Sequence, residues 1–294
     1  MKKFAWLITA ALLISILGGC QSQPVAADIA ATTLPVYQFT VMLCQGTGLT
    51  VARLVNENVS CLHDYSLNVS QVKAVESATL VVINGAGLEE FMEDLLHDKP
   101  VIDASANISP LESCHGHQHS HQEEDHGGHE LDSHIWLSPL NAMIMAENIC
   151  QGLKAQYPQH SGQFDANLQI LLQKLQELHD YGTAQLQQLS CRELITFHDG
   201  FSYLADCYGL TILAAVEEES GSEASAKELI ELIEIVRHHG LPAVFIEENG
   251  SVSAAHIIAA ETGTQVFTLH MAMAGDDYFA AMYHNIQSIK EALG

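Results

Sequence analysis

The chemistry of this chain is concentrated between Ser113 and Pro139, in the run SCHGHQHSHQEEDHGGHELDSHIWLSP. His115, His117, His119, His121, His126 and His129 stand there among Gly, Gln, Ser, Glu and Asp, six of the 17 histidines of the chain. Neutral imidazole is the commonest protein ligand for borderline metals such as Zn²⁺. From Gly116 to Glu130 there is no apolar residue, so the stretch has nothing to pack with and reads as a mobile metal-collecting tract. The bland alternative is a solvated loop that is merely rich in histidine. His134 differs: it stands in DSHIWLSP, where apolar residues resume, and reads as a fixed ligand.

A fixed ligand needs elements to hold it. Short β-branched runs predict strands at Ile29–Thr33, Thr50–Val55, Leu80–Ile83 and Val101–Asp103, with helices over Val36–Leu43, Ser70–Ser77 and Leu88–Leu96 between them. The same rhythm returns later, with strands at Glu193–Phe197, Thr211–Val216, Ala243–Ile246 and Gln265–Leu269. Helices are predicted there over Phe201–Tyr208, Ser225–His238, Ser251–Thr262 and Tyr278–Leu293. Strand and helix in alternation predict an α/β fold, here two βα domains with parallel four-stranded sheets. Between them Phe164, Leu168, Leu171, Leu175 and Leu178 form one apolar stripe at helical spacing. A helix carrying that stripe on to Leu189 would be roughly 39 Å long at about 1.5 Å per residue, a spine joining two lobes across a cleft. The expected lobes are residues 28–160 and 191–294, with the linking helix within 161–190.

Ligands of open parallel sheets bind beyond the carboxyl ends of strands. His198 and His270 directly follow predicted strands, as does Glu247, and His63 lies a short loop beyond another. Any one of them alone is more often a satisfied surface or core residue than a ligand. Their joint placement, two histidines in each half when His134 is counted, is what points to a shared metal.

Composition narrows the partners. With 11 Lys and Arg against 36 Asp and Glu the formal charge is −25, which disfavours nucleic acid and anionic lipid headgroups, since both require basic patches. Lys2 and Lys3 precede an apolar run over Phe4–Leu17, the length of a signal-peptide core and short for a membrane span. The run ends in Leu17-Gly18-Gly19-Cys20, which resembles a bacterial lipobox and predicts a mature chain anchored through lipid on Cys20, behind a tether over 21–27. An ordinary signal peptide cut elsewhere is the alternative. Six further cysteines outside the cytoplasm predict disulfides, with sequence neighbours pairing as Cys44–Cys61, Cys114–Cys150 and Cys191–Cys207. There is no HExxH and no GxxxxGK[ST], so neither a zinc hydrolase of that type nor an ATPase is indicated.

Several stretches together carry a family resemblance: His63-Asp64-Tyr65-Ser66, TLVVINGAGLEEFM, DSHIWLSP, NLQILLQKLQELH, TFHDGFSYLADCYGL, SAKELIELIEIV and AVFIEENGS. In that order they resemble the metal-specific solute-binding proteins of ABC transporters, and within these the zinc-uptake branch. The resemblance implies two βα lobes, a rigid connecting helix and one metal buried in the cleft. It implies His63 and His134 as ligands from the first lobe and His198 from the second, with Glu247 behind them in a supporting role. It also implies an extracytoplasmic, monomeric receptor, not an enzyme, that delivers Zn²⁺ to an ABC permease. Where the family usually has Asp after the last strand, this chain has His270-Met271. Either His270 is a fourth nitrogen ligand, or water or a carboxylate takes that place. Rival expectations are a metal-buffering or adhesin lipoprotein on the same fold, a manganese receptor, and a zinc hydrolase.

Overall fold

A computed structural model describes residues 27–56, 62, 65–111, 131–216, 224–248, 252–273 and 275–294. His63, the histidines from His115 to His129, and Cys20, Cys61 and Cys114 lie outside the described residues. In chain order the first lobe contains β1 (Ile29–Ala31), α1 (Leu34–Leu43), β2 (Val51–Arg53), α2 (Val69–Ser77), β3 (Leu80–Ile83), the short α3 (Glu93–Leu96), β4 (Val101–Asp103) and α4 (Pro139–Gln156). The long α5 (Ser161–Leu186) follows. The second lobe contains β5 (Glu193–Thr196), α6 (Ser202–Tyr208), β6 (Thr211–Ala215), α7 (Ala226–His239), β7 (Ala243–Glu247), α8 (Ser253–Thr262), β8 (Gln265–Leu269) and α9 (Tyr278–Leu293).

Both sheets are wholly parallel and share one strand order, β2-β1-β3-β4 in the first lobe and β6-β5-β7-β8 in the second. In each, the chain winds outward from the first strand and then crosses to its other side. The crevice between β1 and β3, and that between β5 and β7, are therefore the points where a doubly wound sheet opens to ligand. Local sequence explains the helix starts. Asn68 and Ser225 each close a capping box, with Gln71 and Glu228 respectively, and Ser138 caps α4, which opens on Pro139. Gly209, Gly240 and Gly263 adopt the left-handed conformation that ends α6, α7 and α8.

Three expectations are corrected. Leu88–Leu96 is not one helix: a 3-10 turn over Glu90–Met92 leads into the four-residue α3, because the Glu89 carboxylate is held back by accepting from the Asn84 and Gly85 amides of the strand-end loop. The long helix is 26 residues but begins at Ser161 and ends at Leu186. Arg192 terminates it, donating from Nη2 to the Leu186 carbonyl at 2.8 Å and from Nη1 to the Tyr208 carbonyl at 2.8 Å. The expected disulfide Cys191–Cys207 is absent. Cys191 is turned to the Glu193 carbonyl and Cys207 to the His179 ring, and Cys44 and Cys150 are also free thiols, their expected partners lying outside the described residues. Burial pushes the Cys44 thiol up to about 12, and Cys150 and Cys207 are likewise raised by burial, so these sulfurs stay protonated and are poor metal donors.

One continuous core runs through both lobes, formed by α1, α4, α5 and α9 with the inner faces of the sheets. The α5 stripe supplies Phe164, Leu171, Leu175 and Leu178, all fully buried, with Leu168 half-buried beside them. At Gly182 α5 comes so close to α6 that an added Cβ would lie 2.3 Å from the Tyr208 hydroxyl. The segment after β8 crosses back to the first lobe. There Trp136 Nε1 donates to the Met271 carbonyl at 2.7 Å, the Leu34 amide to the Met273 carbonyl at 3.1 Å, and the Tyr278 hydroxyl to the Trp136 carbonyl at 2.8 Å. Buried hydrogen bonds across a shared core make the two lobes one unit. Among the described residues no helix is long and apolar enough to cross a membrane.

Candidate metal centre

His134 stands at the start of a one-turn 3-10 helix, Ile135–Leu137, whose three residues are all buried just ahead of α4. Asp132 is almost wholly buried and accepts two hydrogen bonds at its Oδ1, from the His134 backbone N–H and from the ring Nδ1, both at 2.8 Å. Burial by itself pushes the Asp132 carboxyl up. The bonds and charge of His134, with the Ser202 hydroxyl, outweigh it and hold the group below the ordinary carboxylate range. An ionised carboxylate can only accept, so the nitrogen facing it carries the proton, and in the neutral ring Nε2 keeps its lone pair. That is the arrangement found behind metal-ligating histidines.

His198 follows β5 at the second lobe's crevice and is buried, with Nδ1 3.9 Å from Glu247 Oε2 at the end of β7. The His134 and His198 rings meet across the cleft edge to face, their centroids 5.3 Å apart. Two imidazoles on one tetrahedral zinc, each bonded at about 2.0–2.1 Å, place their ring centres roughly 5 Å apart, so this pair fits such an ion. The close approach depends on Gly200, where a Cβ would lie 2.9 Å from His134 Nδ1 and 2.7 Å from Met271 Cε.

His270 is placed differently. Its backbone is locked by Asn285, which accepts from the His270 N–H at 2.7 Å and donates to its carbonyl at 2.8 Å. Its ring is a quarter exposed, bonds Glu248 Oε2 through Nδ1 at 2.7 Å and packs edge to face on His284 at 4.4 Å. His284 is itself held below the usual histidine range, first by burial and then by the neighbouring His270. The structure thus brings His134, His198 and Glu247 together and sets His270 against Glu248 and His284. Among the described residues no group of three or more His, Cys, Asp or Glu is set to hold a metal, so the imidazole pair needs further donors. Asp132 was the residue whose role the sequence hid, although D-S-H places it two positions before His134.

Two parallel sheets, joined by one long helix and presenting imidazoles to each other from their open crevices, define a two-lobed metal-binding architecture. Residues 29–292 match the family model of ZnuA, the periplasmic component A of zinc-uptake complexes, and the chain belongs to that family. It is 29% identical to the zinc-binding lipoprotein AdcA of Streptococcus pneumoniae across 99% of this chain, and spans 61% of that protein's length. A crystal structure of ZnuA superimposes with a TM-score of 0.77 at 28% identity, covering 91% of this chain and 100% of that one. The Zn(II)-bound ZnuA-like domain of Streptococcus pneumoniae AdcA gives 0.76 at 27% identity, covering 91% and 98%.

Proposed function

We propose that this chain is an extracytoplasmic zinc receptor that captures Zn²⁺ in the cleft and delivers it to an ABC permease. The observation that carries the reading is the His134–His198 pair, two imidazoles from opposite lobes at the spacing of one tetrahedral ion, with Asp132 bonded to one ring and Glu247 near the other. His63 completes the set from the first lobe. The fourth place falls to His270 Nε2, once its ring is brought to the pair from its position against Glu248 and His284, or else to water or a carboxylate. The ion is cargo, so the site binds and releases it and performs no turnover. Zinc-binding relatives and the family match support this reading.

The tract carrying His115, His117, His119, His121, His126 and His129 collects zinc weakly and passes it to the cleft, since a run without apolar residues gains no packing to offset the entropy cost of ordering its ligands, which a preformed pocket avoids. Lipid on Cys20 tethers the mature chain to the membrane, where the permease is. Mass spectrometry of the mature N-terminus tests the anchor. For the site, His63, His134 and His198 are each replaced by Ala and zinc affinity is measured by competition with a chelator. Each change is expected to weaken binding, and an unchanged affinity removes that residue from the site.

A further inference from the structure

We propose that Glu89 is a positioning residue of the metal centre: its buried carboxylate ties the ends of β1 and β3 together and, through Asn84, sets the segment that presents His134. Glu89 lies at the crevice between β1 and β3, 5% exposed. Its Oε1 accepts from the Thr32 hydroxyl and from the Asn84 amide, both at 2.7 Å, and its Oε2 from the Gly85 amide at 3.0 Å. Asn84 then donates from Nδ2 to the Ser133 carbonyl at 3.1 Å, across 49 residues of chain. Ser133 lies between Asp132 and His134, the two residues whose mutual hydrogen bond aims the ligand. One carboxylate therefore connects the sheet's switch point to the His134 ring through three hydrogen-bonded groups, all buried.

A carboxylate suits this task better than an amide or an acid. All three of its partners donate, and only the ionised form accepts at both oxygens without carrying a hydrogen of its own. Burial raises the Glu89 carboxyl to about 7 against the lowering effect of Thr32, Asn84 and Gly85, and the charge of Asp103 at the end of β4 raises it further. Near neutrality a fraction of the molecules therefore carry a proton where the loop needs an acceptor. Ionised Glu89 holds the His134 segment in place, and protonated Glu89 lets it relax. Zinc then favours the ionised form by linkage.

The proposal rests on His134 being a ligand, so His134→Ala is measured alongside. Zinc affinity of the wild type and of Glu89→Gln is measured by chelator competition from pH 6 to pH 8. Glutamine cannot ionise and stands in for the protonated acid. At pH 8 the wild type should bind about tenfold more tightly than Glu89→Gln, in the range for loss of a residue supporting a ligand. That ratio should shrink towards one at pH 6. A ratio that is constant with pH, or already one at pH 8, overturns the proposal. Thr32→Val provides a second arm that does not depend on how Glu89→Gln folds. It removes one bond that favours ionised Glu89, so the acid-side fall in affinity should begin at a higher pH, and an unmoved profile overturns the proposal. If His134→Ala binds like the wild type, the zinc-site reading itself has failed.

Discussion

At the scale of single residues, a buried carboxylate faces each of the two cleft histidines, Asp132 at His134 and Glu247 at His198. Asp132 holds His134 in the tautomer that leaves Nε2 open, so Asp132→Asn should lower zinc affinity about 10- to 100-fold with little effect on the fold, read by chelator competition and circular dichroism. Metal selectivity is the test of His270. Zinc accepts four nitrogens in a tetrahedron, while manganese prefers oxygen donors and higher coordination. Restoring the family's residue with His270→Asp should keep zinc binding measurable and narrow the gap between the two metals. An unaltered zinc-to-manganese ratio in parallel titrations would take His270 out of the site. Glu89 has a consequence for the metal-free protein as well. Its pKa is about 7 folded against 4.5 for a free carboxyl, so between those values the folded state holds a proton that the unfolded chain has released. Its contribution is fully present below pH 4.5 and is lost as pH rises through 7, a difference of about 3 kcal/mol. In urea titrations the wild type should lose stability relative to Glu89→Gln by about that amount across the window.

Elements matter here for how closely they approach. The His134 segment of the first lobe and the His198–Gly200 turn of the second pack without a side chain between them. Gly200→Ala puts a methyl against the His134 ring and the Met271 methyl. Met271 can swing away, but the imidazole is held by Asp132 and cannot. The substitution should therefore weaken zinc binding more than it lowers the urea midpoint of the apo protein. Equal affinity with reduced stability would mean that the ring moves without cost to the site. The α5 helix acts as a spine in a specific sense: one apolar stripe serves both lobes, and Arg192 fixes its end against α6.

For the whole molecule, the lobes are already joined before metal arrives, by a shared core and by the segment that follows β8. Zinc adds to an existing unit rather than folding it. Its stabilisation should follow mass action, about 4 kcal/mol at a thousandfold excess over Kd, visible as a rise in Tm. Ligating imidazoles must be neutral, so the rise should fade as pH falls towards and below about 6.5. Deleting residues 115–129 should lower zinc stoichiometry in calorimetry and leave the tight site intact. Loss of the tight site on deletion would mean that the loop supplies a primary ligand.

The sequence by itself determined the two βα halves, since β-branched runs and helical stripes are local patterns set by neighbouring residues. Leu80–Ile83, Val101–Asp103, Gln265–Leu269 and Tyr278–Leu293 fall where periodicity puts them. A position just past a strand end marked His198, because a parallel sheet opens there, and the return of apolar residues in DSHIWLSP marked His134. The α4 helix was missed, although Ser138-Pro139 stands at its start and Ala142, Met145, Ala146, Ile149 and Leu153 lie on one face. Partnership was not legible. That Asp132 turns to His134, that Glu89 and Asn84 reach Ser133, and that Cys191 and Cys207 stay apart are decided by which groups burial leaves in need of a donor or acceptor. Those needs are met across tens of residues, through contacts that exist only once the two sheets and the long helix have closed around one core.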